Sequence, residues 1–140
     1  MIAQTLWTLP VASTALLNGA TFQKLPRRAC ALLCEYEGDN DRVVSIKLLF
    51  DGVEAFKCTY QGACTTEMIE NSYDKAVDVG PSEWLRSVQG QLISYGSQSV
   101  DELRHLMIYF DDGPCYEFIC QAFRVEEHQL QVRDPVNDRV

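Results

Sequence analysis

Two apolar runs, residues 106–110 and 115–120, flank four strong turn formers, Asp111, Asp112, Gly113 and Pro114. Apolar segments of strand length joined by such residues read as a β-hairpin rather than a helix. The feature is architectural. No phosphate loop, metal-ligand cluster or nucleophile signature sits on it, and the eight glycines of the chain are scattered singly, so a phosphate-cradling loop is not expected anywhere.

The rest of the chain supplies partners for this hairpin. Residues 29–37 read as a strand, with a short helix as the alternative, and Gly38, Asp39, Asn40 and Asp41 as a turn. Over 42–60, apolar residues alternate at Val44, Ile46 and Leu48 and again at Phe56, Cys58 and Tyr60. That pattern predicts a second hairpin. A three-residue loop of Phe50, Asp51 and Gly52 pairs Ile46 with Phe56 and Val44 with Cys58, and puts Gly52 at the left-handed bulge position. A helical turn with a threonine cap is expected over 65–70, and Tyr73, Val77 and Val79 suggest a strand ending at Gly80 and Pro81. Ser82 caps the best helix, in which Trp84, Val88, Leu92 and Tyr95 form one apolar stripe and Glu83 sits in the favourable first turn. Gly90 weakens that helix by about 1 kcal/mol relative to alanine. Residues 1–28 are interrupted by Pro10, Gly19 and Pro26, with Trp7 and Phe22 as anchors, and the polar stretch 126–140 reads as a loose tail.

A chain of 140 residues fits one domain, in which a core buries roughly two thirds of the unfolded surface. With 46% apolar and 23% charged residues, disorder is not expected. The net charge is -8, and residues 71–140 carry 12 acidic against 6 basic side chains. Such a field repels phosphate backbones, so nucleic-acid and anionic-membrane binding are disfavoured while a basic protein partner is permitted. The first charged residue is Lys24, and the apolar stretch before it is broken by Thr8, Pro10, Ser13 and Thr14. A secretory signal is therefore not expected. The six cysteines are expected as reduced thiols in a cytoplasmic protein.

Chemistry-bearing candidates are few. The cysteine spacings lack the C-x2-C pair of zinc ribbons, and His105 and His128 lie outside any cluster, so no metal or other cofactor is expected. Cys58 and Cys120 fall on apolar strand faces. With Phe110 opposite Cys115, His105 falls opposite Cys120, the one long-shot thiol–imidazole pair; a thiol buried there has a raised pKa and is inert. Asp111 and Asp112 are the one pair of adjacent carboxylates near a recognisable turn, with Glu117 close by. All three are candidates for binding, although aspartate before glycine also serves the turn itself.

The motif Ser82-Glu83-Trp84-Leu85 opening a helix, followed by 106–110, Asp112-Gly113 and Cys115-Tyr116-Glu117-Phe118, resembles small bacterial domains that include immunity proteins of toxin–immunity pairs. The resemblance covers about residues 72–125. It implies a cytoplasmic, non-catalytic protein that binds and blocks a cognate toxin, and it transfers no functional residues. The expected fold is α+β, a mostly antiparallel sheet of about five or six strands with one principal helix on a face. The expected function is an acidic protein-binding module that occludes a basic partner, such as a toxin or an enzyme. The alternatives are a small enzyme or ligand-binding domain with its site in a sheet–helix cleft, and a structural subunit. No signal in the chain sets its oligomeric state.

Overall fold

Nine strands and two helices are seen in the computed structural model, which describes residues 3–97, 100–111 and 113–131. In chain order they are β1 (Gln4–Thr8), β2 (Thr21–Leu25), β3 (Ala29–Glu37), β4 (Arg42–Asp51), β5 (Ala55–Thr59), α1 (Thr66–Ser72), β6 (Lys75–Asp78), α2 (Glu83–Ser94), β7 (Arg104–Tyr109), β8 (Cys115–Cys120) and β9 (Ala122–Gln131). The strands form two antiparallel sheets rather than one. The first is ordered β1-β6-β7-β8-β5 and the second β2-β3-β4-β9.

The sheets pack face to face. Residues alternating along β3 (Cys30, Leu32, Cys34) and β4 (Val44, Ile46, Leu48, Phe50) meet Leu106, Ile108, Phe118 and Cys120 of the first sheet in one core. Phe50 and Phe118 stack across it at 3.9 Å. The opposite face of the first sheet is covered too. Beneath α1, Met68 and Ile69 pack on Val77, Met107 and Tyr109. Beneath α2, Leu85 meets Leu103 and Ile119. Burial on both faces is why 106–110 and 115–120 are continuous apolar runs instead of alternating ones.

Local signals act as expected at both helices. The Thr65 hydroxyl accepts the Met68 N–H to cap α1, and the Ser82 hydroxyl accepts the Leu85 N–H at 3.1 Å to cap α2. The apolar stripe of α2 is shifted, however. Leu85 is its buried residue, Trp84, Val88 and Leu92 are half-buried, and Tyr95 is 80% exposed.

Three expectations are corrected. Residues 42–60 are not a hairpin, because β4 pairs with β3 and β9 while β5 pairs with β8. Gly52 is left-handed (φ +63), as expected, but the turn carries the chain from one sheet to the other. Gln121 makes the return crossing between β8 and β9 beside it, and a Cβ on Gly52 would lie 2.7 Å from the Gln121 side chain. Residues 126–131 are not a loose tail but the far half of β9, in register with β4 from Ala122 to Gln131; residues 132–140 lie outside the described residues. The lead segment is likewise built in. Asp74 accepts the Ser13 N–H on its carboxylate and the Leu9 N–H on its carbonyl, and the Ser13 hydroxyl accepts the Asp111 N–H.

Candidate functional site

The hairpin of β7 and β8 forms with a register one residue away from the expected one. Phe110 donates its N–H to the Pro114 carbonyl, so the loop is Asp111 to Gly113, closed by Gly113 at φ +68. Gly113 is obligatory for a second reason: a Cβ there would lie 2.8 Å from the Gln61 nitrogen. Tyr109 therefore opposes Cys115, Arg104 opposes Cys120 and His105 opposes Ile119. A one-residue shift moves a side chain to the other face. His105 and Cys120 are not brought together: Cys120 lies in the inter-sheet core, and His105 points to the helix-covered face.

On that face His105 meets Glu117, its diagonal neighbour across the hairpin, with Nε2 2.9 Å from a carboxylate oxygen. Both are almost fully buried, at 5% and 3% exposure. The other ring nitrogen, Nδ1, lies 2.8 Å from the Ser82 hydroxyl at the start of α2. One arrangement of protons satisfies every group: Ser82 accepts from Leu85 and donates to Nδ1, and Nε2–H donates to Glu117. Trp84 packs its edge on the His105 ring at 5.1 Å, and the Lys57 ammonium sits 4.2 Å over Trp84 and 3.8 Å from Glu117. The cluster looks like a serine–histidine–carboxylate relay, yet its serine oxygen is committed to the helix cap. None of the clefts described below is lined by Ser82. It pins α2 to the sheet.

The remaining candidates separate. Glu117 is interior and presents nothing to a partner. Asp111 is half-buried, its N–H held by Ser13 and its carboxylate bonded to the Tyr73 hydroxyl. Asp112 lies outside the described residues. Cys30, Cys34, Cys115 and Cys120 are buried, whereas Cys58 is exposed, contrary to its expected place on a buried face. Burial pushes the Cys34 and Cys120 thiols up to about 12, helped by Asp74 and by Asp51 and Asp78 respectively. Cys115 is pushed higher still, mainly by burial. Among the described residues no three His, Cys, Asp or Glu side chains are placed to hold a metal. No helix among them is long and apolar enough to cross a membrane.

What the sequence did not signal are two open clefts at opposite ends of β3. One is an acidic bay of about 620 Å³, where the inner face of the second sheet runs past the core. Glu37, Asp39, Tyr36 and Glu127 line it, and Arg42 is its one cation. The Tyr36 hydroxyl is pushed up by burial and by Glu127. Arg42 is engaged by Gln129 at 3.2 Å. The bay is shaped by the β3–β4 turn, in which Asn40 and Asp41 are both left-handed (φ 59 and 55), the geometry of a type I′ turn. The other is a seam of about 460 Å³ between β2 and β5, rimmed by Lys24, Arg27 and Arg28. A smaller sheet–helix cleft of about 300 Å³ beside α2 holds Asp78, Arg86, Asp101 and Arg104, and Asp78 there accepts the Gly80 N–H at 2.8 Å.

Fold and surface together define a two-sheet antiparallel sandwich with helices on one outer face and oppositely charged clefts at the two ends of one strand. No family model, no curated protein and no solved structure matches this chain.

Proposed function

We propose that this chain is a non-catalytic binding module of the immunity type, occluding a basic surface of another protein through the acidic bay. The observation that carries the reading is that Glu37, Asp39 and Glu127 line one concave surface together with Tyr36, in a chain of net charge -8. A concave acidic surface that includes an aromatic residue suits an arginine or lysine side chain. The guanidinium or ammonium pairs with carboxylates while its methylenes lie on the ring. Long-range attraction from the net charge adds to the encounter rate. The resemblance of residues 72–125 to immunity proteins points the same way. Relative to the sequence expectation, the binding residues move from Asp111, Asp112 and Glu117 to the far end of the second sheet.

The test begins with the partner that co-purifies from the native host. Its association with the purified chain is followed by stopped flow. The triple variant Glu37→Gln, Asp39→Asn, Glu127→Gln removes three charges with little change of shape, and association slows by about tenfold at low salt. Asp111→Asn leaves the rate unchanged. An association rate indifferent both to salt and to the triple variant overturns the reading.

A further inference from the structure

We propose that the seam between the two sheets is a second site, independent of the acidic bay, that binds a single-chain amphipathic carboxylate. The seam exists because β2 and β5 are the free edges of their sheets on one side of the sandwich, five residues each. Among the described residues no strand bridges them. Phe22 and Phe56 close the gap further along, with rings 5.1 Å apart. Toward the β2–β3 turn the gap stays open, and Cys30, Val53, Ala55 and Phe56 offer an apolar wall. At about 460 Å³ it falls in the size range of small-molecule sites, roughly 300–1,000 Å³.

Its rim has the opposite sign to the rest of the molecule. Lys24, Arg27 and Arg28 stand there against one carboxylate, Glu54, and Glu54 is paired with Arg28. Among the described residues, two cations, Lys24 and Arg27, are thus left over at the mouth of an apolar slot. The backbone holds the two arginines there at a cost. Arg27 and Arg28 both adopt left-handed conformations, φ 62 and 57, which side chains of their size rarely adopt. The Arg28 carbonyl is fastened by the Val53 N–H at 2.8 Å, which locks the turn over the slot. Strain of this kind persists where the surroundings hold it, and it gathers at binding sites.

The chemistry of the occupant follows from both features. A guanidinium matches a carboxylate in bidentate geometry, and the wall accepts an alkyl chain. The net charge of -8 opposes ligands that carry several negative charges. One negative charge and one chain is the combination that fits.

Calorimetric titration of the full chain with hexanoate, octanoate and decanoate tests the assignment. Affinity rises by about fourfold for each methylene buried and levels off once the slot is full. Decanol, with the same chain and no charge, binds at least tenfold more weakly than decanoate. Arg27→Gly removes the charge and relieves the left-handed strain at once. Thermal stability therefore holds or rises while decanoate affinity falls about tenfold and decanol binding is unchanged. A merely structural arginine would not split the two readouts. The proposal is overturned if decanoate and decanol bind equally, if no alkanoate binds at millimolar concentration, or if Arg27→Gly leaves decanoate affinity intact.

Discussion

At the scale of single residues, burial decides which groups can act. A buried carboxylate stripped of water is costly unless its lone pairs are satisfied, and Glu117 meets that requirement through His105, with the ammonium of Lys57 nearby. His105 is in turn satisfied at its second nitrogen by Ser82. The polar groups that would carry chemistry in a cleft are here consumed in holding helix to sheet. The thiols obey the same rule. Four are buried, Cys64 is half-buried and Cys58 is exposed, so a thiol reagent at pH 8 distinguishes them. Native protein should yield one rapidly reacting thiol, with Cys58→Ser removing it. The buried four should appear only on unfolding. Fast reaction of Cys120 in the native state would mean that the inter-sheet core opens.

At the scale of elements, α2 shows how a helix chooses its face. Its periodic stripe in the sequence is Trp84, Val88, Leu92 and Tyr95, but its buried anchor is Leu85 at 8% exposure, and Tyr95 at 80% contributes little. Leu85→Ala should therefore cost about 2–4 kcal/mol. Half-buried Trp84→Ala should cost about 2 kcal/mol, including its contacts with His105 and Lys57. Tyr95→Ala should stay within about 0.5 kcal/mol. Denaturant midpoints order the three, and a Tyr95 variant as damaging as the Leu85 one would restore the periodic stripe. Both helices and the β7–β8 hairpin were legible because their signals are local: a capping hydroxyl, a period, a turn sequence. Strand partnership was not. Val44, Ile46 and Leu48 alternate with the same period as Phe56 and Cys58 whether two strands pair side by side or face each other across a core. Here they belong to different sheets. The far half of β9 gave no apolar alternation because Glu127 and Gln129 line the open bay instead of the core. The site was legible only in part. His105 was a candidate, but a loop one residue shorter than expected turned it from Cys120 to the face of Glu117. The two clefts were invisible, since each is assembled from segments remote in sequence.

At the scale of the whole molecule, the shared core makes the sandwich sensitive to alkali. Cys34 from the second sheet and Cys120 from the first sit in the same inter-sheet cluster with no measurable exposure. Each has its thiol raised from 9.0 to about 12 by burial. Tyr116, in the same cluster, is raised from 10.0 to about 12, again mainly by burial. A folded pKa above the unfolded one favours the neutral thiol in the native state. The stability this represents is whole below pH 9 and is lost as pH climbs toward 12. Each thiol withdraws about 1.4 kcal/mol per pH unit across that window, so the pair withdraws about 3 kcal/mol per unit. A domain of this kind has only about 5–15 kcal/mol in total. Melting temperature should hold from pH 7 to 9 and then fall steeply. The double variant Cys34→Ala, Cys120→Ala should start lower at pH 7, because two small cavities open in the core. It should nevertheless decline more gently between pH 9 and 11, its remaining loss coming from the other buried thiols and Tyr116. A double variant that falls as steeply as the parent would show that the two sheets are not held together around these thiols in their neutral form.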